Sequence, residues 1–345
     1  MDEVVEGRPV RRLLIRAALL LAAFAVSIVF GYFAVRGVKF DASWSALRAS
    51  NYWWLGPSLA ALAAFVFLRV IRWRTLFHPE RHPPLGSLVK AMLIGFFFNS
   101  ILPARAGEAA RIVALKHYAG TSRAETTATV VVERIFDVCS LLVLLFVLVP
   151  WLPRVSWLTP AAFVAFASLV LILALIVIVR YVTAAPARSG LMLLAKLPGL
   201  REEAVLRLTR NAVHGLATLA RPGQAVAALG WTFLSWFVLG LSFWFLMIGF
   251  DLGLSPLAGL LVVIATGLAF IIPAAPAAVG VFEAAGLAVT SAYGVARSPA
   301  FAYVLLLHAL NFIPFIAAGL LVLGVDARPR RVSSPRGVAR VRSRG

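Results

Sequence analysis

Runs of about 20 apolar residues recur along this chain, each long enough to cross a hydrocarbon core roughly 30 Å thick as a helix. Inside a bilayer the backbone polar groups must be satisfied within the protein, and a helix does this segment by segment. The fold expected is therefore an all-α polytopic membrane protein. Six full transmembrane helices are placed at 13–35, 53–71, 124–148, 158–180, 225–250 and 299–324. Composition agrees: 61% of residues are hydrophobic and 14% are charged, whereas a soluble domain of this length needs more polar surface. Residues 1–326 form one transmembrane domain, followed by an Arg-rich cytoplasmic tail, 327–345, whose Pro, Ser and Gly content predicts disorder.

Two further segments, 86–118 and 256–294, are apolar but broken. The first reads Gly95-Phe-Phe-Phe-Asn-Ser-Ile-Leu-Pro-Ala-Arg-Ala-Gly-Glu108. The second reads Gly267-Leu-Ala-Phe-Ile-Ile-Pro-Ala-Ala-Pro-Ala-Ala-Val-Gly-Val-Phe-Glu283. Each runs apolar, breaks at Pro and Gly (Pro103 and Gly107; Pro273, Pro276 and Gly280), then presents a carboxylate. Broken helices at membrane depth survive where they line a protected cavity, and a pair of them, one in each half, points to a transporter-like site. They are read as re-entrant segments in an inverted repeat. The alternative is two ordinary hairpins kinked by Pro.

The N-terminal apolar run continues to about Phe33, beyond the length of a signal-peptide core, so an uncleaved anchor is expected. Cys139 lies in a span and can form no intramolecular disulfide. Cys/His clusters with zinc spacing and a Walker glycine loop are absent from the sequence, so no metal or cofactor is expected.

The formal net charge of +19 is spread over short loops, which fits a positive-inside bias and anionic lipid rather than nucleic acid. With the N-terminus inside and each broken segment returning to its own side, segments 1–16, 72–90, 104–123, 180–222 and 327–345 are cytoplasmic. They carry 26 of the 33 Lys and Arg residues, against 5 outside. Both termini are therefore placed on the cytoplasmic side of the membrane. The outer stretch 36–52 carries Trp44 and Tyr52, followed by Trp53 and Trp54, as an interfacial belt would. On this count the two breaks enter from opposite faces and point toward one shared cavity.

Ionisable residues mark the chemistry. Arg105, Glu108 and Arg111 recur every third position. Glu108 falls in the first turn of a helix starting near Gly107, is favoured there by the dipole, and is within reach of Arg111. Free amides at that helix end, with Arg105, Arg111 and the nearby Asn99, suit a lipid phosphate. A solvated interfacial helix is the plainer reading. Glu133, Arg134 and Asp137 lie roughly 13–20 Å along their span at 1.5 Å per residue, a costly depth unless they face one another or water. They read either as substrate contacts or as an ion cluster locking this helix to a partner. Glu283 has no basic neighbour in sequence, so its partner is tertiary or it is protonated. It reads as a proton-coupling carboxylate or a helix-terminal ion-pair residue. His308 and Asn311 lie one turn apart in the last span, and a single His in a bundle reads first as a packing residue. Arg69, Arg72 and Arg74 flank Trp73 near a helix end and read as snorkelling side chains.

The strings Asn99-Ser-Ile-Leu-Pro-Ala-Arg-Ala-Gly-Glu-Ala-Ala-Arg111, Glu133-Arg-Ile-Phe-Asp137 and Pro273-Ala-Ala-Pro-Ala-Ala-Val-Gly-Val-Phe-Glu283 resemble the bacterial flippase-like family. This family includes the transmembrane region of lysylphosphatidylglycerol synthase/flippase proteins. The resemblance extends over roughly 10–325, with Arg72-Trp73 also similar. It implies an inner-membrane protein with re-entrant helices that moves or handles lipids, and it marks the same motif residues as functional. One position departs: Ala277 stands where the family usually has Gly. The synthases add a soluble aminoacyl-transferase domain, and its absence after residue 326 implies that this chain does not aminoacylate lipids itself.

The resulting expectation is a lipid transporter for anionic or lipid-linked headgroups, not an enzyme. The five His residues, at 78, 82, 117, 214 and 308, form no phosphatase motif. The other reading is a non-transporting partner of a lipid- or glycan-synthesis enzyme, docked through the 180–222 loop and the tail. The oligomeric state is not specified by the sequence.

Overall fold

The computed structural model describes residues 7–103, 106–151, scattered positions between 153 and 174, 222–272 and 274–326. Within them the chain forms, in order, α1 Gly7–Val35, α2 Phe40–Ala49, α3 Leu55–Thr75, α4 Leu85–Ile101, α5 Ala106–Ala119, α6 Arg123–Leu148, α7 Pro222–Gly249, α8 Pro256–Ala269, α9 Val281–Ala292 and α10 Arg297–Asp326. Among the described residues no strand occurs. The expected span at 158–180 is described only at scattered positions up to 174, while residues 180–221 of the basic loop and the 327–345 tail lie outside the described residues, as do Arg105 and Pro273.

Among the described residues three helices are long and apolar enough to cross a membrane, within Tyr52–Thr75, Gly223–Gly249 and Arg297–Asp326. A fourth crossing arises if α1 and α2, bent by 79° at their junction, count as one. The all-α class therefore stands with three to four such spans. Helix α6 covers 26 residues, about 39 Å at 1.5 Å per residue, but carries Glu125, Glu133, Arg134 and Asp137. The stretch expected to be an interfacial loop after residue 36 contains the short helix α2, with Phe40 and Trp44 exposed.

Small residues set the helix crossings, as expected where lipid removes the hydrophobic drive between helices. Helices α3 and α7 pack along their lengths. There Ser58 Oγ donates to Ser242 O at 2.7 Å and Ser242 Oγ donates to Ser58 O at 2.8 Å. Where α7 crosses α8, a Cβ on Gly259 would stand 2.5 Å from the Gly240 carbonyl oxygen. Pro314 sits inside α10, a placement that membrane helices tolerate.

The two broken segments are helical hairpins. Helices α4 and α5 pack against each other, as do α8 and α9. The first hairpin closes at Gly107, whose backbone N–H donates to Asn99 Oδ1 at 2.9 Å. A Cβ there would lie 2.0 Å from the Gly95 carbonyl oxygen, so only glycine allows the approach. In the second, Ala277 and Ala278 adopt left-handed backbone (φ 58° and 55°). The break thus takes the turn that a glycine would make, despite Ala277.

Candidate functional site

Helix α6 brings Glu133 and Asp137 to one face, where α3 supplies Arg69 and Arg72, and α5 supplies Arg111. All five are buried, with Arg72 and Glu133 fully inaccessible. Arg69 Nη2 lies 3.0 Å from Glu133 Oε1 and 2.7 Å from Asp137 Oδ2. Arg72 reaches the same two carboxylates at 2.8 and 2.5 Å. Arg111 donates to both oxygens of Glu133, at 3.2 and 2.6 Å, a forked contact that only a guanidinium makes. Its guanidinium also stacks over Trp73, 4.0 Å from the ring centroid. Trp73 Nε1 in turn donates to Thr129 Oγ1 of α6 at 3.0 Å.

Arg134 completes the cluster. Its side chain is a third exposed, and it contacts Glu133 at 2.9 Å, Asp137 at 3.4 Å and Glu108 at 3.4 Å. Four guanidiniums therefore face Glu108, Glu133 and Asp137, leaving one formal positive charge in excess. Among the described residues, the buried Nε atoms of Arg69, Arg72 and Arg111 have no hydrogen-bond partner.

Arg69, Arg111, Arg134, Asp137 and Glu108 border a cavity of about 460 Å³. Its wall includes Asn99, Pro103 and Gly107 of the first break and Ala274, Ala275, Ala277 and Ala278 of the second. Phe65, Phe96, Trp236, Phe270, Phe312 and Phe315 make much of the remaining wall, with Asn311 among them. The breaks thus reach a common chamber that is cationic on the α3–α5–α6 side and apolar on the other.

Glu283 is not among the residues lining this chamber. It caps α9, accepting the Gly280 N–H at 2.7 Å, and its other oxygen lies 2.5 Å from His308 Nδ1 on α10. Its tertiary partner is thus the histidine that reads in sequence as a packing residue. Pro276 begins the 3-10 turn of the second break, and Gly280 (φ 86°) precedes α9. Pro276 and Gly280 also lie outside the cavity lining. Ser27 on α1 steadies the break by accepting the Ala275 N–H at 2.8 Å.

Two sequence expectations change. Glu108 pairs across helices with Arg134 rather than with Arg111, because Arg111 turns inward to Glu133. Arg69 and Arg72 do not snorkel: they are the main buried counterions of α6. The available signal was their i, i+3 spacing on one face of an apolar helix, opposite two unneutralised carboxylates elsewhere in the chain.

Chemically, this arrangement can hold an anion among guanidiniums at the wall of a largely apolar chamber. The profile of the lysylphosphatidylglycerol synthase TM region matches residues 20–319. A relative, the UPF0104 membrane protein MJ1078 of Methanocaldococcus jannaschii, is 24% identical over 232 residues, covering 67% of this chain and 95% of its own length. With its membrane helices and a profile match across most of its length, this chain belongs to the lysylphosphatidylglycerol synthase transmembrane-region family.

Proposed function

We propose that this protein is a lipid translocase that takes an anionic headgroup into the chamber between its two breaks. The observation carrying this reading is the cation excess at the wall of a cavity that both breaks help to form. A lone anion at membrane depth is costly, and guanidiniums offset that cost through charge-assisted hydrogen bonds. A volume of about 460 Å³ lies within the roughly 300–1,000 Å³ of small-molecule sites. It suits a headgroup whose acyl chains stay in the bilayer. Arg134 and Asn99 are the proposed first contacts, with Arg69 and Arg111 deeper. Arg105 joins them in the expectation from sequence.

In this reading the chain is a carrier rather than an enzyme. It sits in the bacterial inner membrane with both termini cytoplasmic, six full spans and two re-entrant segments entering from opposite faces. The 26-to-5 division of Lys and Arg supports that orientation.

The test is reconstitution in vesicles with fluorescent phosphatidylglycerol, scoring label that becomes accessible to an external quencher. Wild type should move the anionic label faster than a phosphatidylcholine analogue, and Arg134→Gln should slow it. Movement no faster than in protein-free vesicles, at any imposed gradient, overturns the reading. Unchanged leaflet distribution, together with loss of an associated synthesis enzyme in cells lacking the protein, would favour the docking role instead.

A further inference from the structure

Glu283 and His308 form a buried acid–base pair one residue layer behind the chamber. Their closest atoms are 2.5 Å apart, and the side chains are only 11% and 10% exposed. The imidazole lies against Phe282 and Phe312, at centroid distances of 4.9 and 4.4 Å, and both rings line the chamber. Glu283 also holds the N–H of Gly280, the residue at which the second break becomes α9. One carboxylate thus serves both a titratable partner and the cap that shapes the break.

Depth makes this pair sensitive to a single proton. His308 is 11 residues from the start of α10, about 16 Å along a helix rising 1.5 Å per residue. Among the described residues, His308 is the one titratable side chain acting on Glu283. The neighbouring elements offer neutral groups already engaged. Ser27 of α1 holds the Ala275 amide, Thr266 of α8 and Thr290 of α9 bond to their own helices, and Asn311 of α10 donates to Leu307 O. With imidazole neutral and Glu283 ionised, the pair carries one negative charge in an apolar wall. Adding a proton to the imidazole nitrogen facing away from Glu283 gives imidazolium opposite carboxylate, with no net charge.

We infer that the Glu283–His308 pair is a proton-binding site coupling the second break to a proton gradient, an inference that rests on the translocase reading for its cargo. An anion in the chamber repels the unprotonated, negative pair and favours the neutral one. By reciprocity, the proton favours the anion. Proton and anionic headgroup therefore travel together, in the same direction. Losing the proton returns negative charge to the wall, which expels the headgroup.

Two measurements decide this. The first is hydrogen–deuterium exchange over residues 274–292 in nanodiscs of neutral lipid, corrected for intrinsic exchange, from about pH 5 to 8, the range in which histidines titrate. Wild type should show protection that changes as one titration, and both His308→Gln and Glu283→Gln should be flat. A flat wild type, or variants that titrate like it, overturns the proton site whether or not lipid moves. The second is the leaflet ratio of fluorescent phosphatidylglycerol under a one-unit pH gradient. One proton per lipid sustains a ratio of up to about tenfold, since one pH unit equals about 1.4 kcal/mol. Lipid movement with a ratio near one, in wild type, overturns the coupling and leaves the translocase reading intact. No movement at all removes the translocase reading and the coupling with it, and the exchange result alone then decides whether the pair binds a proton.

Discussion

Glu133→Gln tests whether the buried ion cluster is the structural keystone of the site. Glu133 Oε1 lies within 3.2 Å of atoms from Arg69, Arg72, Arg111 and Arg134, and Oε2 adds a second contact to Arg111. At about 3 Å and an effective dielectric of about 20, each contact carries roughly 5 kcal/mol of gross attraction. Most of that is offset by desolvation and by repulsion among the guanidiniums. What survives is seen when one partner is removed and charge is left uncompensated, typically about 3–5 kcal/mol. Glutamine keeps the shape, but its NH₂ group faces donors and the charge balance shifts further toward positive. At about 2–4 °C per kcal/mol, the melting temperature in detergent should fall by about 6–20 °C. Added salt should not change this loss, because a pair removed from water is little screened. Combining Glu133→Gln with Arg111→Met should recover part of the loss, since neighbouring groups in one network couple by about 0.5–3 kcal/mol. A Glu133→Gln protein melting within about 2 °C of wild type, the shift worth less than about 1 kcal/mol, would refute the keystone role.

Three other substitutions probe the hairpins and the membrane-exit contacts. Ala277→Gly relieves about 1–2 kcal/mol of left-handed strain and loses about 0.5–1 kcal/mol to backbone entropy, so a small rise in melting temperature is expected, and a fall would contradict the turn geometry. Gly107→Ala places a methyl 2.0 Å from the Gly95 oxygen and 2.6 Å from Asn99 Oδ1, and it should cost at least about 3 kcal/mol, read as a lower melting temperature and proteolysis near residues 102–106. Asp326→Asn removes the charge that faces Lys90 Nζ at 2.8 Å and leaves a neutral amide oxygen as the acceptor near Tyr118, both contacts being partly exposed; about 0.2–1 kcal/mol is expected, shrinking as salt is added, in contrast to Glu133.

Much of the site is written in the sequence because a membrane makes polarity conspicuous. Pro and Gly within apolar runs announce the breaks, and Glu133, Arg134 and Asp137 stand out in α6 because ionisable residues are expensive there. The partners are a different matter. Arg69 and Arg72 lie close enough to a helix end for snorkelling to explain them, and only the fold shows that their side chains turn toward α6 instead of water. The i, i+3 rule pairs Glu108 with Arg111, but a local pair is worth a few tenths of a kcal/mol. The forked contact with Glu133 and the stack on Trp73 outweigh it. His308 is invisible in the sequence as a partner of Glu283, because 25 residues separate them and no periodicity connects two helices.

The two breaks are held by unequal means, and in the proposed translocase this decides which one would move. The first is tied on three sides: Asn99 holds Gly107, Arg111 is forked to Glu133, and Arg134 reaches Glu108. Helices α3, α5 and α6 therefore behave as one body, since shifting any of them uncovers a buried charge. The second break has no ion pair to that body among the described residues. It is held by a single serine hydroxyl, one glutamate cap and apolar contacts, and it carries two alanines in left-handed backbone. Opening it breaks neutral or singly charged hydrogen bonds, worth about 0.5–3 kcal/mol each, rather than a network of guanidiniums. Local openings draw on the least stable element available. In the proposed translocase the cationic half would serve as the fixed wall against which a headgroup is bound, and the Ala274–Gly280 stretch would be the part that shifts around it.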